Sequence, residues 1–117
     1  MSTQTQRART GEFLLAEANG SLSREQVTFA ATEEIIPAGT VVAQLTSGGD
    51  WVPYNPDADP ADGSEVAAGI LYAELPVAIG DQPGVVIVRH AEVAEAALTG
   101  IDAAAKTALE ALQIIVR

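Results

Sequence analysis

The sequence predicts a mainly β chain with one short C-terminal helix and a flexible N-terminal arm. Three observations carry that prediction. Short apolar, β-branched runs recur at Thr40–Thr46, Val66–Tyr72 and Gly84–Arg89, each too short for a buried helix. Gly, Pro, Asn and Asp separate them at close intervals, which is the chemistry tight turns require. Only Ala103–Leu112 is Ala-rich enough to favour a helix, with Leu109 and Leu112 on the face it buries.

The stretch Asp62–Tyr72 organises the rest. Asp62-Gly63 is a turn signal, because both residues tolerate left-handed backbone. The run that follows, Val66 to Tyr72, does not alternate and so reads as a strand covered on both faces. Gly69 in its middle marks a bulge or a close approach of another backbone. The runs at Thr40–Thr46 and Gly84–Arg89 are expected to pack around it.

In chain order, residues 1–20 are expected to form the arm and residues 21–117 a single β-rich domain. The first eleven residues are polar and lack apolar periodicity. They also hold Arg7 and Arg9, ahead of the first acid, Glu12. Phe13-Leu14-Leu15 is a short apolar patch, with Phe13 either tucked against the domain or offered to a partner. Arg24–Ala30 alternates as a strand, with Glu25, Val27 and Phe29 on one face. Ile35–Leu45 reads strand, turn, strand about Pro37 and Gly39, and Ser47–Asp50 is a second turn. Trp51–Tyr54 is a short strand that Pro53 confines to an edge, since proline cannot donate to a ladder. Glu92–Leu98 suits either a helical turn or a strand and loop, and Thr99-x-x-Asp102 resembles a capping box. Gln113–Arg117 is apolar enough to be held down as a strand or docked tail.

Charge and composition narrow the function classes. The 117 residues carry 6 Lys and Arg against 16 Asp and Glu, a net charge of −10. That balance argues against nucleic acid as a partner, because phosphate contacts need clustered cations. No apolar run approaches the ~20 residues of a membrane span. The N-terminus has no apolar signal-peptide core, so a cytosolic start is expected. Cysteine is absent, which excludes disulfides and thiolate metal sites.

A search for catalytic motifs yields little. His90 is the one histidine, and no nucleophile motif accompanies it. Asp57, Asp59 and Asp62 suggest a calcium loop, but Pro60 stands where the glycine of an EF-hand is required and Val66 where its bidentate Glu belongs. Neither an enzyme nor a cofactor is expected. A small binding module using Trp51 and Tyr54 as a carbohydrate-stacking platform is the alternative.

The chain also resembles a known family. The carrying segments are Phe13–Gly20 with Ser23-Arg24-Glu25, Pro37–Val41, Asp62–Leu71, Val86–Arg89 and Leu112–Arg117, in that order. Together they are similar to the head decoration proteins of tailed phages, the family of phage lambda protein D. The resemblance implies a β-clip-like compact domain that assembles as a homotrimer. It further implies a chain made in the bacterial host cytoplasm that binds the major capsid protein at three-fold sites on the outside of the expanded head. There it would cement the shell against internal DNA pressure, with Arg7, Arg9, Glu12, Phe13, Leu14 and Leu15 as the capsid-contact arm.

Overall fold

In the computed structural model, which describes residues 10–17, 23–58 and 61–117, five strands close into a barrel beside a second, three-stranded sheet. The barrel strands are β2 (Arg24–Phe29), β3 (Val41–Gln44), β4 (Trp51–Pro53), β5 (Gly69–Leu71) and β6 (Gln82–Ile87), in the order β2-β4-β3-β5-β6. The second sheet has the order β1-β7-β8, from β1 (Leu14–Glu17), β7 (Ala91–Val93) and β8 (Ile114–Val116). A 3-10 turn at Glu95–Ala97 and helix α1 (Ala103–Ala111) connect β7 to β8. The chain is therefore mainly β with one short helix near its C-terminus, as its apolar runs predict.

Two cores explain why those runs do not alternate between apolar and polar. Inside the barrel lie Phe29, Val42, Trp51, Leu71, Leu75, Val86 and Val88. Between the barrel wall, the second sheet and α1 lie Phe13, Val41, Tyr54, Ile70, Ile87, Val93, Leu109 and Ile114. Successive residues of one strand point to opposite faces. Val41 and Val42, Ile70 and Leu71, and Ile87 and Val86 therefore each serve both cores.

β5 sits between β3 and β6, through Val41↔Ile70 on one side and Ile70↔Ile87 on the other. All three of its residues are buried. A Cβ on Gly69 would stand 2.7 Å from the Ile87 carbonyl oxygen, so the close backbone approach expected there is present. The strand is shorter than the apolar run suggests, because Asp62–Val66 is spent on turns and Val66 is exposed. Gly63 takes φ +103°, and a Cβ there would meet the Gln44 carbonyl oxygen at 2.5 Å, which only glycine tolerates.

Several expectations change in detail. Ile35–Ile36 contributes one bridge, Ile36↔Leu75, and not a full strand. With the bridge Thr32↔Ala78 it forms a two-stranded ribbon below the barrel. β4 is inside the barrel wall and not at an edge. Proline is tolerated because β2 pairs with β4 only at Phe29↔Trp51, so Pro53 has a ladder partner on the β3 side alone. Glu92–Leu98 divides into the end of β7 and the 3-10 turn. The cap of α1 is Asp102 and not Thr99: the Ala105 N–H donates to Asp102 Oδ1 at 2.7 Å. Thr99 is committed elsewhere, its carbonyl accepting from Val41 N and its N–H donating to the Gly39 carbonyl.

The domain also begins before residue 21. Phe13 is 1% exposed and belongs to the second core, and Leu14–Glu17 is paired antiparallel with β7. The arm expected over residues 1–20 therefore includes a stretch, residues 10–17, that is built into the fold. Arg7 and Arg9 lie outside the described residues.

Candidate functional site

The surface around β1 gathers the described part of the predicted contact segment. Gly11 anchors its start: its N–H donates to the Tyr72 carbonyl at 2.8 Å, and its φ of +67° turns the chain toward β1. Phe13 then inserts its ring into the core, and its carbonyl accepts from Ala94 N at 2.8 Å. From there the side chains diverge. Leu14 packs half-buried against the second core opposite Val93, whereas Leu15 is 55% exposed and Glu12 is exposed. Alternation along the strand sends Leu14 and Leu15 to opposite faces, and the register shift between Leu14 and Ala16 accompanies the exposure of Ala16 as well. Phe13 is thus an anchor of the segment to its own domain. The apolar group in this segment that faces solvent is Leu15.

The outer face of the same sheet continues this surface. Ala16, Glu92 and Ile115 stand in register across β1, β7 and β8, and Ile115 is 47% exposed. They line an open hollow of about 620 Å³ together with His90 and Gln113. Both of those residues have left-handed backbone, φ +51° and +64°, an arrangement uncommon outside glycine. Ser23, fully buried, holds the first of them in place through a 2.8 Å hydrogen bond from its hydroxyl to the His90 carbonyl. Arg117 pairs with Glu92 at 2.8 Å along the sheet. No sequence signal marked this face, since it depends on β1 pairing with β7, about 75 residues further along the chain.

Elsewhere the polar groups maintain the fold. Asp62 accepts from Ser64 N–H and hydroxyl, which holds its carboxyl below the usual carboxylate range. Asn55 and Glu65 accept from the backbone N–H groups of Asp57 and Gly63. These bonds show why an acidic loop suits the turns between β4 and β5. Burial, and then the Asp102 carboxylate to which it donates, raise the Tyr54 hydroxyl above its ordinary value. Burial and the adjacent Asp81 raise Asp50. His90 is exposed, and among the described residues no three His, Cys, Asp or Glu side chains are grouped to hold a metal ion. Trp51 and Tyr54 are 7% and 9% exposed in the two different cores, so they do not form the stacking platform considered for a carbohydrate.

What remains at the surface is suited to protein contact: an edge strand, exposed Leu15 and Ile115, and an apolar hollow beside them. The family model of the bacteriophage lambda head decoration protein D matches residues 3–114. The chain belongs to this family. No curated protein matches it. Membership gives the chain a structural role in decorating a phage head, on the outer surface of the capsid. The matched residues cover the barrel strands and reach from β1 to the start of β8 in the second sheet.

Proposed function

We propose that the chain cements the expanded head as a homotrimer at three-fold sites, with its N-terminal segment and the adjoining β1 surface as the contact to the major capsid protein. The observation that carries this reading is the combination at β1. A strand at the edge of its sheet exposes Leu15, and it directly continues the segment that holds Arg7 and Arg9. An open edge accepts a further strand through main-chain hydrogen bonds, while Leu15 and Ile115 supply apolar area. Phe13 supports the contact from beneath, because its burial fixes where β1 leaves the core. Three such contacts in one trimer reinforce one another through effective concentration, so none has to be strong alone.

The test mixes purified protein with expanded, undecorated heads of its own phage and measures head binding beside a melting curve. Removing residues 1–9 is expected to reduce head binding steeply and leave the melting temperature within about a degree of the full chain. Removing residues 1–15 is expected to lower both, since it deletes Phe13. Arg7→Gln with Arg9→Gln should weaken binding less than the deletion does, because exposed ion pairs contribute at most about 1 kcal/mol each. Wild-type decoration by the chain lacking residues 1–9 would move the capsid contact to the body of the domain.

A further inference from the structure

Three residues lining the open hollow of about 620 Å³ on the second sheet are poor choices for the fold that carries them. Gln113 stands just past Leu112, the C-cap of α1, with φ +64°, where glycine is the least strained residue. Its N–H donates to the Glu110 carbonyl at 2.9 Å, the bond that closes the helix end. His90 precedes β7 as Gln113 precedes β8, and takes φ +51°. Glu110 is an acid in the last turn of α1, where the helix dipole favours a cation. All three are exposed, and none of their side chains makes a hydrogen bond or ion pair to another described residue. Local rules broken together at one place mark a surface whose residues serve something other than the fold.

We infer that this hollow receives a long cationic side chain, a lysine or an arginine, of the major capsid protein. The inference rests on the capsid-contact reading above and names the chemistry of the partner at that surface. Walls and charge select the occupant. Ala16 and Ile115 give the hollow apolar sides, Ile115 being 47% exposed, and an aliphatic stem can lie along them. Two carboxylates, Glu92 and Glu110, stand among the lining residues. Arg117 already pairs with Glu92 at 2.8 Å, which leaves Glu110 as the acid to be met. A purely apolar occupant would bury Glu110 without a partner, at a high desolvation cost. An acidic occupant would meet like charge, in the hollow and over a chain of net charge −10. A cation on a long stem meets both demands, covering Ile115 while its head reaches Glu110. Gln113 offers an amide oxygen and His90 a planar ring, and both suit an ammonium or a guanidinium. Ala16 lies on β1, so the hollow is continuous with the open edge assigned to the same partner.

The test sets binding to expanded, undecorated heads of its own phage beside a melting curve, because stability and binding are expected to move apart. Glu110→Lys should lose about tenfold or more in head binding, by setting cation against cation, with no fall in melting temperature. Glu110→Gln should lose about threefold and flatten the salt dependence of binding. His90→Gly and Gln113→Gly should each melt about 2–4 °C higher and still bind heads more weakly than the wild type. A carbodiimide, which joins carboxylates to amines, separates the two cations: a lysine gives a covalent link from Glu110 to the major capsid protein, and an arginine gives none. Wild-type head binding by Glu110→Lys would overturn the inference. Should the chain lacking residues 1–9 then have lost binding, the capsid-contact reading stands without this hollow; should that chain also bind fully, both fall. A carbodiimide link from Glu110 to a second copy of the chain would overturn the inference too. Glycine variants that melt higher and bind as tightly as the wild type would overturn the roles of His90 and Gln113.

Discussion

The barrel and the three-stranded sheet divide the work of the molecule. The barrel closes through β2, which pairs with β6 over its whole length and with β4 at one position, so its wall has no free edge. The second sheet has three short strands and two edges, and one face turned away from the core. Closed sheets hide their backbone donors and acceptors, whereas open edges present them to another chain. The difference teaches which region satisfies its own main-chain groups and which leaves an edge for the contact proposed above: the barrel is closed on itself, and the sheet is not. Phe13 and Ile114 join the two by filling the core between them.

The largest effect expected is at that junction. Phe13→Ala removes a ring that is 1% exposed and should cost about 3–5 kcal/mol, read as a lower denaturation midpoint. Unchanged stability would show that β1 is not tied to the core and that the two regions are independent. The next effect belongs to the barrel alone. Gly69→Val forces a side chain against the Ile87 carbonyl oxygen and should cost about 1–3 kcal/mol by overpacking, with a lower melting temperature. A variant that melts with the wild type would place β5 outside the tightly packed wall.

The smallest effect sharpens the comparison through pH. Asp62 lies in the turns that feed β5, and its folded carboxyl titrates below the ordinary value of 3.8. A depressed pKa contributes stability above the unfolded value, and that contribution is lost as pH falls through the folded one. Asp62→Asn should therefore narrow the stability difference between neutral pH and pH 3, measured by denaturant titration. An identical pH profile in the variant would show that the Ser64 hydrogen bonds do not favour the ionised carboxyl.

Much of the fold is legible in the residues themselves. The non-alternating run around Ile70 and Leu71 signals burial on both faces, and two cores provide it. Gly63 marks a turn and Gly69 a close approach, since each position excludes a Cβ. The apolar end, Ile114–Val116, becomes a strand because its side chains need a core. The candidate site is less legible. Phe13, Leu14 and Leu15 look alike in sequence, yet their exposures differ, because the pairing of β1 with β7 decides which face of the strand meets the core.

By itself, then, the sequence determined the mainly β class, the places where the chain turns, the short C-terminal helix and the likeness to the decoration family, all of which rest on local residue chemistry. Tertiary structure alone decided four things: that the barrel closes at Phe29↔Trp51, that Trp51 and Tyr54 are buried in different cores, that Asp102 and not Thr99 caps the helix, and that Phe13 anchors the segment while Leu15 faces solvent. Distant partners enter every one: Tyr54 reaches Asp102, 48 residues on, and the cap falls to Asp102 while the backbone of Thr99 is bonded to Val41 and Gly39. Local propensity cannot encode such contacts, because burial is a property of what other strands bring to the same place.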